Sequence, residues 1–495
     1  MNANPSAPYR PAGTLNIATA LSPYQGPWDA RLAAHLLRRA GFGGSPEDIA
    51  RLAAMPVDAA IGSLIHYPKD TGLPGTPDTM DDSYGQERRI LEQSRKGGLD
   101  DATLQAMRMQ VGQSRQKSNI ALASWWLERM IKSPAPLQEK MTLFWHGHFT
   151  STVFQKGITP KEAVDQNWIF RSNALGNVRG IAHAVSHDPA MLKYLDNARS
   201  NKDHPNENYA RELMELFTLG IGNYTETDIR ESARAFTGYS VLGPARGGGF
   251  VFNERQHDSG RKHFLNAIGD LNGDDVVEVI FKQPAAQRWF AQKLLNFFVY
   301  NNPEPELIEA LGMLIKQNDF QMGPTMATLL GSNVFFSDRA YRALVKSPIE
   351  FVVGTYKTFG LSAVTPETIG SLNRMGQVPF HPPSVKGWDG GASWINSQTM
   401  LVRENFVNTL MTSKMMMDSQ SWLTMGPPPA AKDATTKLVG TLLQGDASPA
   451  SAARVQAYLD GSDTSALGQL SGENYEERMR GAAYLTMAMP AYQLN

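Results

Sequence analysis

Two glutamates, Glu212 and Glu215, stand three residues apart in the stretch PNENYARELMELFTLGIGNYTETDIRESARAFTGY, residues 205–239. Paired carboxylates can donate and remove protons at one bond, and two of them flanking a glycosidic bond are the usual equipment for its hydrolysis. At about 100° per residue the two lie about 60° apart on one helical face, which Asn208 and Arg211 share. Arg211, and Arg234 on the helix that follows, are suited to holding carboxylates in place. His146 and His148 flank Gly147 in WHGHF. Imidazoles at i, i+2 point to opposite sides of a helix but converge where the helix ends, and there they can bind a metal or move protons. His257 and Asp258 lie in a polar loop with Lys262 and His263. Trp388, Trp394 and Asn396 stand in WDGGASWIN, where glycines allow close backbone approach and indole faces suit sugar rings. Each group also has a plain structural reading: a solvated face laced with ion pairs, a packed histidine pair, an ordinary loop, an aromatic plug over the core.

Other chemistry is excluded. The chain has no cysteine, so disulfides, thiolate metal sites and cysteine nucleophiles are absent. His183 and His187 have the i, i+4 spacing of helical zinc ligands, but Ala184 stands where a zincin needs its glutamate, so they read as surface or structural groups. Asp270, Asn272 and Asp274 alternate as early calcium-loop ligands do. Asp275 in the glycine place and Phe281 in the place of the last glutamate rule that out, leaving a turn and a helix cap. With no Walker loop, no GxGxxG before a helix and no GxSxG, a nucleotide cofactor is not expected and the usual serine-hydrolase chemistry is disfavoured. A net charge of -1 over 495 residues gives no electrostatic argument for nucleic acid, and no run of about 20 apolar residues marks a membrane span.

The elements that must position these side chains are helical. Tyr209, Ala210, Leu213, Leu216 and Phe217 form an apolar stripe opposite Glu212 and Glu215, and Gly220 and Gly222 are stops. Thr225 with Asp228 three residues on predicts a helix start, Glu231 is within reach of Arg234, and Thr237-Gly238 ends that helix. Residues 1–26 read as an extended tail. A helix from Trp28 to Ala40 is followed at Ser45-Pro46 by another. Residues 67–84 form a loop and residues 85–132 are strongly helical. Leu137 to about Phe149 forms a further helix. Residues 239–264 suggest a short β-hairpin or irregular loop, and helical pattern resumes from Asp274. Residues 376–394 form a long loop, Asn396 to Met417 is helical, and Pro427 to Pro429 marks a linker. The expected fold is mainly α, with at most a short β-hairpin: a tail over 1–26, a main helical domain over 27–417 and a small helical extension over 418–495.

The runs HLLRRAGFG, KMTLFWHGHF, NENYARELMELFTLG, TETDIRESARAFTGY, HDSGRKHFL, VKSPIEFVVG and VKGWDGGASWINSQTMLVRENF, in this order from about residue 28 to 412, make the chain similar to the bacterial domain-of-unknown-function 1800 family. The resemblance implies a mostly helical protein and supplies no established reaction. It also implies export and a sulfatase-like secreted protein as a partner, although the N-terminus shows no basic start followed by an apolar core. The family pattern carries over onto His146, His148, Asn208, Arg211, Glu212, Glu215, Arg234, His257, Asp258, Trp388 and Asn396. A core needs leucines rather than these residue types, so their recurrence in separated motifs points to a polar pocket.

Three readings follow. The leading one is a hydrolase acting on a saccharide-like or other polar substrate. Glu212 and Glu215, with Asp258 or Asp228 as an alternative partner, supply acid and base. His146, His148 and His257 assist, and Trp388 and Trp394 line the wall. The second is an oxidoreductase holding a divalent metal on His146, His148, Glu212 and Glu215. The third is a non-catalytic scaffold or assembly partner of an envelope protein, in which the polar groups pair with one another.

Overall fold

The helix Pro136–His148 divides its side chains between two hydrophobic cores. Leu137, Met141, Phe144 and Trp145 enter the first and Leu143 enters the second. Proline at its first position suits a helix start, where no intrahelical N–H bond is lost. In the computed structural model of the chain, residues 16–67, 75–77, 83–97, 100–243, 248–419, 423, 430–461 and 475–495 are described. Residues 1–15 of the expected tail, most of the 67–84 loop and the expected linker at Pro427 to Pro429 lie outside them.

The first core gathers the helices Ala30–Gly41, Val178–Ser186, Gly273–Phe281, Pro284–Phe298 and Pro305–Gln317 around the stretch that carries Glu212 and Glu215. The second core joins Leu122, Trp126 and Met130 of the helix Asp101–Lys132 to the helices Pro348–Phe359, Pro366–Met375 and Ser397–Met411. The C-terminal helices Ala431–Leu443, Pro449–Asp460 and Tyr475–Met487 supply Leu438, Leu442, Val455, Leu459, Met479 and Met487 to that same core. The chain then runs back along residues 344–346. Lys346 N–H donates to the Gln493 carbonyl at 2.8 Å, Asn495 N–H to Leu344 at 2.8 Å, and Val345 bridges Leu494.

The fold is mainly α, as expected. The helical stretch over 85–132 resolves into Ser83–Arg95 and Asp101–Lys132, the second capped by Asp100, which accepts from Thr103 N–H at 2.7 Å. The expected hairpin pairs Tyr239–Val241 with Phe250–Phe252. A second, Lys262–Phe264 with Ala267–Gly269, was not expected, because strands of three residues are too short to display alternation. No helix among the described residues is long and apolar enough to cross a membrane.

Candidate functional site

The helix that begins at Glu207 does not run on as an α-helix. Asn206 caps its start, accepting from Asn208 N–H at 2.9 Å, and after Glu212 the chain widens into a π-helix over Leu213–Thr218. Such i→i+5 turns are rare and occur frequently at functional sites. Groups from other helices secure this one. Trp289 Nε1–H donates to the Leu216 carbonyl at 3.1 Å, and the His148 ring donates to the Phe217 carbonyl at 2.7 Å. Gly220, at φ 78°, closes the turn, and a Cβ there would stand 2.7 Å from the Trp289 ring. The position therefore needs glycine on both conformational and steric grounds. Tyr209, Ala210, Leu213 and Phe217 of the expected stripe are buried, whereas Leu216 is partly so.

This geometry presents the two glutamates together. Glu212 is half-buried, and among the described residues no group donates a hydrogen bond to its carboxylate. Burial, and then the charge of Glu215, raise its pKa against the opposing effect of Arg211. Glu215 accepts from the Tyr224 hydroxyl at 3.0 Å. The Tyr224 phenol is pushed up to about 12 by burial, by that bond and by the Glu215 charge. Arg211 points its fork elsewhere, onto Glu226 through two bonds of 2.9 Å, with Glu207 at 3.5 Å. Asn208 is exposed.

The second helix, Glu226–Ala235, has the expected start. Thr225 Oγ1 accepts from Asp228 N–H at 3.2 Å and Asp228 accepts from Thr225 N–H at 2.8 Å. Arg234 leaves it to hold Asp258 at 2.7 and 3.2 Å and Glu231 at 2.9 and 3.1 Å. The hydrogen bond from Arg234 keeps the Asp258 carboxyl below its usual range. His257 Nδ1–H donates to the Thr237 carbonyl at 2.9 Å, and Asp258 N–H donates to Thr237 Oγ1 at 2.8 Å. His257, Asp258 and Arg234 thus form one tied turn. A cleft of about 720 Å³ opens nearby in the chain, at the first hairpin, lined by Ser240, Asn253, Glu254 and Arg255 among others. None of the proposed acid–base residues lines it.

A third group joins the WHGHF and KGWDGG segments. His146 Nε2 accepts from Phe380 N–H at 3.2 Å, and its ring sits among Trp126, Phe380 and Trp388. Thr152 Oγ1–H donates to Pro382 at 2.9 Å, and Val153 N–H to Phe380 at 3.2 Å. Both imidazoles are buried, which pushes His146 and His148 each down to about 3. They are neutral near pH 7 and serve here as hydrogen-bonding core residues. Trp388 is half-buried and its Nε1–H lacks an acceptor among the described residues. Trp394 is buried, and Asn396 caps the helix Ser397–Met411, accepting from Thr399 N–H at 2.9 Å. Gly387, at φ 84°, fixes the approach of the two segments, since a Cβ there would stand 2.3 Å from the Gly147 carbonyl oxygen. Gly387→Ala is expected to cost about 1–3 kcal/mol for the unfavourable φ. The clash adds to that cost. A lowered unfolding midpoint with new proteolytic cleavage between 380 and 394 is the expected readout.

The structure therefore forms three polar groups, around Glu212, Arg234 and His146. Among the described residues no hydrogen bond or ion pair joins His146 or His148 to Glu212 or Glu215. Nor are any three His, Asp or Glu side chains among them placed to hold a metal ion. The sequence reading passed over Tyr224 and Trp289, whose neighbours gave no signal.

His183 and His187 do meet carboxylates. His183 bonds Asp274 at 3.0 Å and Glu278 at 2.8 Å, and His187 approaches Asp274 at 3.2 Å. Asn272 caps the helix beginning at Gly273, which is the turn-and-cap reading of that segment. The bond to Asp274 raises the His183 pKa above its ordinary value, with Glu278 adding to it against burial. A histidine raised on folding stabilises fully below its unfolded pKa of about 6.5, and that contribution is lost as pH rises through the raised value. The unfolding midpoint of the wild type is expected to decline as pH rises above about 6.5, and His183→Ala to flatten that part of the curve.

Residues 35–494 match the model of a family described as proteins of unknown function, DUF1800. No curated protein and no solved structure matches the chain.

Proposed function

The chain belongs to the DUF1800 family, whose description carries no reaction, and we propose from its own side chains that it is a hydrolase with Glu212 and Glu215 as the acid–base pair. The observation that carries this reading is Glu212: a half-buried carboxyl with no hydrogen-bond donor among the described residues, its pKa raised beside a second carboxylate. Two carboxyl groups in unlike surroundings can divide the work, one holding its proton as general acid and the other staying ionised. Glu212 takes the acid role. Glu215, anchored by Tyr224, takes the base or nucleophile role. The substrate class that fits is a saccharide or similar polar molecule, because paired carboxylates serve glycosidic bonds without a metal or nucleotide. The test is release of reducing ends from a panel of oligosaccharides and polysaccharides by the purified protein. Turnover should fall as pH rises through the raised Glu212 pKa, since the donor then loses its proton. Failure to cleave any member of a broad panel would end this reading.

A second reading, a non-catalytic scaffold, is favoured by the way Arg211, Arg234 and Asp258 are consumed in pairs. The sulfatase-like protein suggested by the family resemblance is the partner in that case. Co-purification of the two, lost when Arg211 is replaced by Ala while the fold is kept, is the expected result. An undiminished complex in that variant would count against Arg211 as part of the docking face.

A further inference from the structure

Where the C-terminal helices meet the main body, four cations are gathered with too few acids. Arg38 is 7% exposed, Lys346 8% and Arg403 0%, and the Arg342 side chain is 9% exposed. Burying a charge is costly unless it is paired and hydrogen-bonded. Two acidic side chains lie close by and both are engaged. Asp446 accepts from Arg342 Nε–H at 2.6 Å and from the Tyr341 hydroxyl at 2.6 Å. Glu350 pairs with Lys140 and accepts from Ser347 N–H at 2.7 Å. The remaining cationic groups are met by neutral oxygens. Gln444 Oε1 takes Arg38 and, at 3.2 Å, Arg342. Gln493 Oε1 takes Arg403 Nη1–H at 3.1 Å, and the Lys346 carbonyl takes Arg403 Nη2–H at 2.7 Å.

This leaves donors over. Arg38 Nε and Nη2 and Arg403 Nε are buried without a hydrogen-bond partner among the described residues. The Lys346 ammonium lies over the Tyr492 ring at 3.9 Å, and no carboxylate among the described residues makes an ion pair with it. Gln444 Oε1 is shared by Arg38 and Arg342, and Arg342, Lys346 and Arg403 meet the consecutive residues Ala491, Tyr492 and Gln493, so the four form one cluster rather than separate sites. An anion placed among them would supply both the missing charge and the missing acceptors. Guanidinium forks and an ammonium together match the several acceptor oxygens of a tetrahedral oxyanion.

We propose that this cluster is a binding site for a small inorganic oxyanion, phosphate or sulfate, held by Arg38, Lys346 and Arg403 at the junction of the C-terminal helices with the main body. Such an anion binds the folded chain where the segments carrying Arg38, Lys346 and Arg403 meet. It stabilises by mass action and takes no part in the reaction proposed above.

The test uses the full chain. Protein purified and dialysed free of phosphate and sulfate is followed by thermal unfolding as either anion is added, with sodium chloride keeping ionic strength constant. The wild-type midpoint is expected to rise by about 2 °C or more. Lys346→Met keeps the side-chain volume but removes the charge, and should lose that gain. In anion-free buffer the same variant should unfold no earlier than the wild type, because one uncompensated buried charge has gone. Arg403→Gln serves as the second variant and should likewise lose the response. An equal rise in wild type and variants would mean a general salting effect on the surface and would overturn the site, as would no rise in the wild type.

Discussion

Replacing Glu212 by Gln is expected to lower turnover of any substrate the protein hydrolyses by about 10²–10⁴-fold, the usual contribution of a positioned acid or base. The amide has nearly the carboxyl's shape but no proton to give at the required acidity. Its effect on stability should have the opposite sign. A carboxyl whose pKa is raised on folding stabilises the fold while it is protonated, and that contribution is lost as pH rises through the raised value. Above that raised value the ionised Glu212 is a burden, and there the amide should unfold no earlier than the wild type. Loss of turnover with an unchanged or higher unfolding midpoint would mark Glu212 as an acid–base group. Loss of both together would mark it as a structural residue, and retained turnover would remove it from the chemistry.

Glu139→Gln is expected to be the most destabilising single change proposed for this fold, by about 3–5 kcal/mol. Glu139 is fully buried. It accepts from Arg171 Nε–H at 2.9 Å and Nη2–H at 2.8 Å and from Trp126 Nε1–H at 3.0 Å, with Arg129 at 3.5 Å. Around it Arg171 lies over Trp168 at 4.9 Å and Arg129 over the same ring at 5.2 Å. The amide keeps one acceptor oxygen and removes the carboxylate charge that both guanidinium groups face. The consequence should spread to His146, whose ring packs edge-on against Trp126 at 5.1 Å. Denaturant unfolding measures the first effect, and the His146 ring resonances report the second. A cost below about 1 kcal/mol, the scale of an exposed pair, would show that water reaches this triad.

What could be read from the sequence was local. The Thr225–Asp228 box and the Ser45-Pro46 helix start depend on a few neighbouring residues, and they stand as expected. The glycines of WDGG suggest close backbone approach, but that approach falls on the glycine before them, Gly387, which lies against Gly147. The π-turn was not legible, because Trp289 and His148, which occupy its carbonyls, are distant in sequence. The same holds for His146 and His148, where residue type suggested chemistry and only tertiary burial reveals two neutral core rings. Asn396 sits among the candidate ligand contacts by residue type, although Thr399 three residues on is also the spacing of a helix start, and the cap is what the fold uses. His183 and His187 lack the glutamate of a zinc enzyme, and their cross-helix pairing with Asp274 and Glu278 is not visible from either segment alone.

The backward run of residues 490–495 along 344–346 also bears on how the protein is made. Tyr492 donates or accepts a hydrogen bond with Thr355 at 2.9 Å in the middle of the second core. A ribosome must therefore deliver residue 492 before that core can close. The earlier helices around Phe351 and Phe406 emerge with apolar faces uncovered, the condition under which nascent proteins need chaperones. Synthesis stopped short of Tyr492 would release a half-open body destined for proteolysis rather than a smaller working version of the protein.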